Sequence, residues 1–303
     1  MAQVPEQRLL LVHAHPDDES INNGATMARY VAEGRGVTLV TCTLGEEGEV
    51  LVPSLSHLAA DQDDALGTHR IGELEAAMEA LGVTDHRILG GVGRYRDSGM
   101  AWDETGHAKP ADEIRDDTFW RADLTEAATL LVEIIREVRP QVLVTYDEFG
   151  NYGHPDHIQA HRIAMYGASL AAAPSYRPDL GEAWDVAKIY WAAMSISAMR
   201  RQRDQIEAAG IDNPFKDMDL SDAPRFMVED DAIACEVDAT AYADAKVAAM
   251  RAHATQIEVD GPFFALSNNI GNAVWGTEVY RIAKGTPGPV DERGWETDLF
   301  AGL

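Results

Sequence analysis

Short apolar runs alternate with helical stretches along the first half of this chain. That alternation limits the fold more than any other feature. Arg8 to Val12, an apolar run after a polar start, predicts a buried strand. Asn23 to Gly34 predicts a helix with Gly34 as its C-terminal stop. Val37 to Thr43 is the next strand, His69 to Leu81 a helix ended by Gly82, and Arg87 to Leu89 a short strand running into Gly90-Gly91. Leu124 to Val138 has amphipathic helical spacing, Gln141 to Tyr146 reads as a strand, and Pro155 to Ala168 as a helix with Pro at its favoured first-turn position. Strands alternating with helices imply a mostly parallel, Rossmann-like α/β sheet flanked by helices on both faces.

The Pro/Ala stretch Ala171 to Pro178 marks a boundary. Residues 1–172 are expected to form the Rossmann-like catalytic domain. Residues 173–303 are expected to form a smaller mixed α/β region that completes the substrate pocket. That region contains a strand at Ala187 to Ala192, a helix near Ser197 to Ala209, an acidic loop at Asp212 to Asp231 and a helix at Ala241 to His253. No internal repeat is visible.

With 303 residues, 46% of them hydrophobic, the chain can bury a sizeable core. Its net charge of -26 argues against nucleic acid and anionic membrane surfaces as partners, because phosphate binding needs clustered Lys and Arg. Cys42, inside an apolar run, and the distant Cys235 form neither a disulfide framework nor a thiolate metal motif. Met1 to Arg8 has no basic lead into a signal-peptide core, and the apolar runs are far short of a membrane span. These features predict a cytoplasmic protein. They leave the oligomeric state open.

Two clusters carry the chemistry. His13-Ala-His15-Pro-Asp17-Asp18-Glu19 follows the first strand, and Tyr152-Gly-His154-Pro-Asp156-His157 follows the Gln141 to Tyr146 strand. Both fall at carboxyl ends of parallel strands, where open α/β sheets bind ligands. In a 3-2-1-4 strand order the first and fourth strands are neighbours, so the two clusters face each other. Imidazole nitrogen and carboxylate oxygen are usual Zn²⁺ ligands, and a catalytic zinc keeps three protein ligands and one position for water. His13, His15, Asp17, Asp18, His154, Asp156 and His157 outnumber those positions. The surplus suits metal-assisted amide hydrolysis, which also needs a base for the water and an acid for the leaving nitrogen. A single His-Pro-Asp turn is more often a capped loop than a site; two at strand ends point to one active site.

Other residues carry weaker signals. Arg70 reads equally as a solvated helix residue or a ligand for a sugar, and Asp97 as a sugar contact or a brace for its own loop. Glu46, Glu47 and Glu49 read as a solvated loop, and His161 as helix surface or core. No Gly-x-Gly-x-x-Gly follows the first strand, which disfavours a dinucleotide.

Ala14-His-Pro-Asp-Asp-Glu19 together with Gly153-His-Pro-Asp-His157 resembles the LmbE-like, or PIG-L, family of zinc-dependent N-deacetylases. The likeness covers the N-terminal domain. It is strongest to the branch of mycothiol biosynthesis, which removes acetate from N-acetylglucosaminyl-inositol. Thr41 to Glu49, Arg70 to Leu74, Tyr95 to Met100, Ala265 to Asn269 and the tail Asp291 to Asp298 extend it along the chain. The resemblance implies one metal, held by His15, Asp18 and His157. It implies Asp17 as general base, Tyr152 and His154 at the carbonyl oxygen and leaving amine, and Asp156 orienting His154. Arg70 and Asp97 match positions that contact the sugar.

The sister branch of mycothiol-conjugate amidases is expected to carry a Lys shortly after the first motif. Here that stretch is Ser20-Ile-Asn-Asn-Gly24, without Lys. A deacetylase of another N-acetyl amino sugar is a further alternative. More distant rivals are a two-metal phosphoesterase, with Glu19, Asp147 and Asp156 as bridging carboxylates, and a sugar-binding module without turnover. Fe²⁺ would accept the same ligand set as Zn²⁺.

Overall fold

The computed structural model describes residues 5–104, 108–208, 227–258 and 276–303. Most of the acidic Asp212 to Asp231 segment and all of Ala265 to Asn269 lie outside the described residues. In chain order the elements are β1 (Arg8–His13), α1 (Asp18–Ala32), β2 (Gly36–Thr41), α2 (Leu66–Leu81), β3 (Asp85–Ile88), a small hairpin of β4 (Ala101–Trp102) and β5 (Ala108–Lys109), α3 (Leu124–Val138), β6 (Val142–Thr145), α4 (Pro155–Ala171), β7 (Lys188–Ser195), α5 (Ile196–Ala208), β8 (Met227–Val228), β9 (Cys235–Asp238), α6 (Ala243–Ala252) and β10 (Thr277–Lys284).

The main sheet runs β3-β2-β1-β6-β7-β10-β9, with β8 beside β7. Its first four strands are parallel and reproduce the expected 3-2-1-4 order. β7 continues parallel to β6, and β10 is antiparallel to both β7 and β9. Strands from beyond residue 172 therefore extend the sheet begun before it. β9 and β10 carry no clear apolar run, and the sequence alone did not reveal them.

Strand side chains alternate between faces, and both faces here are covered. Leu9 and Leu11 pack in one cluster with Ala25 and Met27 of α1, Leu74 and Ala77 of α2 and Ala249 of α6. Leu10 and Val12 pack on the other face with Leu131 of α3 and Ile163 of α4. α3 begins at Asp123, whose carboxylate accepts the Glu126 N–H at 2.8 Å, an N-cap bond that satisfies an otherwise free helix donor. α1 starts at Asp18, a turn earlier than expected. Asp18 and Glu19 form its first turn, where the helix dipole favours negative charge. Part of the first cluster is thus helical rather than loop. Among the described residues no helix is long and apolar enough to cross a membrane.

The C-terminal segment is fastened by buried charge. Glu296 accepts from Lys188 Nζ and from the Tyr190 hydroxyl, both at 2.5 Å, and the Lys188 and Glu296 side chains are only 2% and 0% exposed. Removing one member of such a pair leaves an uncompensated buried charge. Glu296→Ala is expected to lower unfolding free energy by roughly 3–5 kcal/mol in urea titration. A loss under about 1 kcal/mol would mean the pair contributes no more than a surface one.

Candidate active site

β1 and β6 are adjacent, with Leu11 opposite Val144, so the segments that follow them emerge side by side. The second cluster is a helix start. His154 is the N-cap of α4 and Pro155 follows in its first turn. His154 and His157 are three residues apart and so share one face of that turn. Gly153 precedes them at φ 103°, and a Cβ there would meet the Ala108 carbonyl oxygen at 2.6 Å. Only glycine suits both conditions.

Asp18 is the meeting point of the two clusters. Its Oδ2 accepts the His15 N–H at 3.0 Å and the Tyr146 hydroxyl at 2.7 Å, and its Oδ1 lies 3.3 Å from His157 Nε2. His15 Nδ1 is 3.3 Å from Asp18, while its Nε2 faces Asp156 at 3.3 Å and Asp97 at 3.5 Å. Tyr146 also accepts the Ala14 N–H at 2.8 Å and stacks on His157 with centroids 4.2 Å apart. Burial opposes charge on Asp18, but His157 and His15 outweigh it and hold this carboxyl well below the ordinary range. Burial also opposes charge on His15, and Asp97, Asp156 and Asp18 more than reverse it.

Asp17, the residue before Asp18, has a different partner, Arg70. The φ of Asp17 is 121°, a conformation that costs a non-glycine residue roughly 1–3 kcal/mol. Its Oδ2 accepts from Arg70 Nη2 at 2.9 Å, and its N–H donates to Glu19 Oε2 at 2.9 Å. Burial pushes the Asp17 carboxyl up to about 6, with Arg70 opposing and Asp18 reinforcing the shift.

His154 Nδ1 accepts the backbone N–H of Asp156 at 3.1 Å. The proton of a neutral ring is then on Nε2, 4.0 Å from Asp97 Oδ1. Burial, then the His15 and His157 rings, push His154 well below its ordinary value, so the ring rests neutral. The contact from Asp156 to His154 is thus made by its peptide N–H, a donor left free at a helix start. The Asp156 carboxylate instead takes the Ser98 N–H at 2.8 Å and the Ser98 hydroxyl. Burial pushes the Tyr152 hydroxyl well above its ordinary range, which keeps it a donor.

One cavity of about 990 Å³ collects His15, Asp17, Asp18, Arg70, Asp97, Tyr152, His154 and His157. Its far wall is built by β7 and β10, including Ala193, Met194 and Val279. Asp156 is fully buried behind this surface. His13 is also excluded from it, bonded through Nε2 to Asn23 at 2.8 Å. His161 contacts the Tyr146 carbonyl at 3.0 Å. Glu47 and Glu49 line the cavity, and Glu47 pairs with Arg96 at 2.7 Å. Arg70 is buried, and besides Asp17 its guanidinium donates to the Gly45 carbonyl at 2.9 Å and to the Pro16 carbonyl. Tyr146 and Ser98 were missed from sequence. Tyr146 lay in a strand-like run, and nothing local marks Ser98 as a partner for Asp156.

The donor set can be tested for a metal. His15, His154 and His157 have ligand atoms within 4.8 Å of one another, as do His15, Asp97 and Asp156. Both ring nitrogens of buried His157 lack a hydrogen-bond partner among the described residues. An orphaned buried imidazole beside a carboxylate is the arrangement a cation would complete.

A mostly parallel α/β sheet with a histidine–carboxylate cluster at its strand ends is the kind of site that metal-assisted hydrolases use. The chain belongs to the PIG-L family: residues 10–167 match the family described as GlcNAc-PI de-N-acetylase. It is 67% identical over 299 residues, covering 98% of this chain and 99% of the relative, to a 1D-myo-inositol 2-acetamido-2-deoxy-alpha-D-glucopyranoside deacetylase of Nocardioides sp.. A relative of the same name from Kribbella flavida is 65% identical over 305 residues, all of both chains. The fold is shared with N,N'-diacetylchitobiose deacetylase from Pyrococcus horikoshii, at TM-score 0.59 and 20% identity over 93% of this chain and 84% of that one.

Proposed function

We propose that this chain is a metal-dependent N-deacetylase. It hydrolyses the acetamide of N-acetylglucosaminyl-inositol to acetate and glucosaminyl-inositol, the deacetylation step of mycothiol biosynthesis. The full-length identity of 67% to a deacetylase of that sugar carries the reading. The buried His157, without a hydrogen bond among the described residues and with Nε2 3.3 Å from Asp18 Oδ1, supports the metal.

His15, Asp18 and His157 would hold the ion. His154 Nδ1 is engaged by the Asp156 N–H, which directs its Nε2–H to the substrate in this reading. Zinc is the ion this set suits by family, and Fe²⁺ fits the same donors. Bound there, it would supply Lewis acidity to the attacking water and the scissile carbonyl.

The protein's own groups handle the protons. Asp17 takes one from the water as it attacks. The His154 Nε2–H and the Tyr152 hydroxyl donate to the carbonyl oxygen as negative charge grows on it. Asp17 then returns that proton to the departing amine, while neutral His154 keeps its Nε2–H directed at the substrate. Arg70 and Asp97, both in the cavity wall, are assigned to the sugar, and Arg70 also braces Asp17. Asp156 acts from behind, through its N–H on His154 and its carboxylate beside His15.

The expected substrate preference is for acetyl over a bulky acyl group. Acetate release from N-acetylglucosaminyl-inositol should proceed with a higher kcat/KM than cleavage of a mycothiol conjugate. The opposite order would make the chain an amidase, an outcome the 990 Å³ cavity has room for.

A further inference from the structure

Glu19 and His253 are both fully buried and are separated by most of the chain, yet His253 Nε2 lies 2.8 Å from Glu19 Oε1. Glu19 is in the first turn of α1; His253 closes α6. The second oxygen of Glu19 accepts the Asp17 N–H at 2.9 Å, and the Ser20 hydroxyl donates to the first at 2.6 Å. One oxygen of this carboxylate thus holds the peptide of Asp17, while the other is tied to Ser20 and His253. That turn needs holding, because Asp17 stands at φ 121° and its side chain makes no cap bond to α1. Arg70 secures the carboxylate end of Asp17, and Glu19 secures its peptide end. His253 in turn decides where Glu19 sits, and α6 packs against both α1 and α2.

We infer that His253, acting through Glu19, is a positioning residue that fixes Asp17 in its strained conformation for proton transfer. It touches neither the cavity nor the candidate ligands. The inference rests on the reading of Asp17 as the base. By this arrangement a helix from the C-terminal half sets the geometry of a group near the N-terminus. A base that shifts by about 1 Å loses much of its rate advantage, since proton transfer demands hydrogen-bond reach.

The test is a double-mutant cycle on the full chain: wild type, His253→Phe, Asp17→Asn and the double variant. Each is measured for kcat, KM on N-acetylglucosaminyl-inositol, zinc per chain and Tm. Phenylalanine keeps the ring and removes the donor. His253→Phe should lower kcat roughly 10- to 100-fold, the range seen for outer-shell partners, with KM and zinc content unchanged. In the Asp17→Asn background the same substitution should have no further effect on kcat. His253→Gln, which keeps a donor, should recover part of the loss. An equal fall in both backgrounds, a fall in zinc content, or no fall at all overturns the inference while leaving the base assignment standing. An Asp17→Asn enzyme with wild-type kcat overturns the base assignment and this inference with it. If His253→Phe does not fold, His253→Leu, which also lacks a donor, is read in the two backgrounds instead. A kcat loss confined to the Asp17 background then supports the inference, and an equal loss or none overturns it.

Discussion

His157→Ala protein is expected to lose its metal and its activity together. His157 is 1% exposed, its Nδ1 has no partner among the described residues, and its Nε2 faces Asp18 Oδ1 at 3.3 Å without a well-aligned hydrogen bond. Removing it would leave only His15 and Asp18 of the proposed ligands, one short of a catalytic zinc set. Tyr146 stacks on this ring, so some stability also goes with it. Circular dichroism should still report a folded α/β protein, because the core clusters on both sheet faces are untouched. The decisive measurements are ions per folded chain and acetate release across a zinc titration. A folded variant that keeps one ion per chain at limiting zinc would remove His157 from the ligand set.

The second large effect separates the two adjacent aspartates. Asp17→Asn should keep its ion and lose rate by roughly 10²- to 10⁴-fold, the usual contribution of a general base. That corresponds to about 3–5 kcal/mol of barrier. The amide oxygen can still accept from Arg70, and the peptide N–H bond to Glu19 is unaffected, so the turn should persist. Asp18→Asn should behave differently. Its carboxylate serves His15, Tyr146 and His157 at once, and an amide NH₂ turned toward His157 would occupy Nε2 as a hydrogen-bond donor. Affinity for the ion should fall, with activity returning in part at high zinc. If excess zinc restores Asp17→Asn and not Asp18→Asn, the two roles are reversed.

Much of the sheet was readable before any coordinates. β1, β2 and β6 lie close to where the apolar runs placed them, because parallel strands buried on both faces are largely apolar, while the edge strand β3, Asp85–Ile88, is half-buried and mixed, and starts two residues before the expected Arg87. α3 matched end to end, having both an N-cap Asp and a strong apolar stripe. β9 and β10 were not readable. They lie on the antiparallel side of the sheet, where β10 sits between β7 and β9, and a run such as Thr277–Lys284 mixes charged and apolar residues at both faces. α1 began earlier than expected because acidic residues at a helix start look, in sequence, like loop.

By itself the sequence determined which residue types stand at two strand ends, and hence that imidazoles and carboxylates would meet there. Local pattern suffices for the strand period and the Pro155 helix start, and the common 3-2-1-4 order, assumed from fold class, was borne out by β6 lying beside β1. Only the tertiary structure decided how each group is used. It turned the Asp156 carboxylate to Ser98, set Tyr146 between Asp18 and His157, and turned His13 away to Asn23. It also brought His253 to Glu19 from the far end of the chain. The Asp156–Ser98, Asp18–Tyr146 and Glu19–His253 bonds join residues distant in sequence. A buried carboxylate or imidazole must find a partner, but only the packing of helices on the sheet determines which partner is within reach.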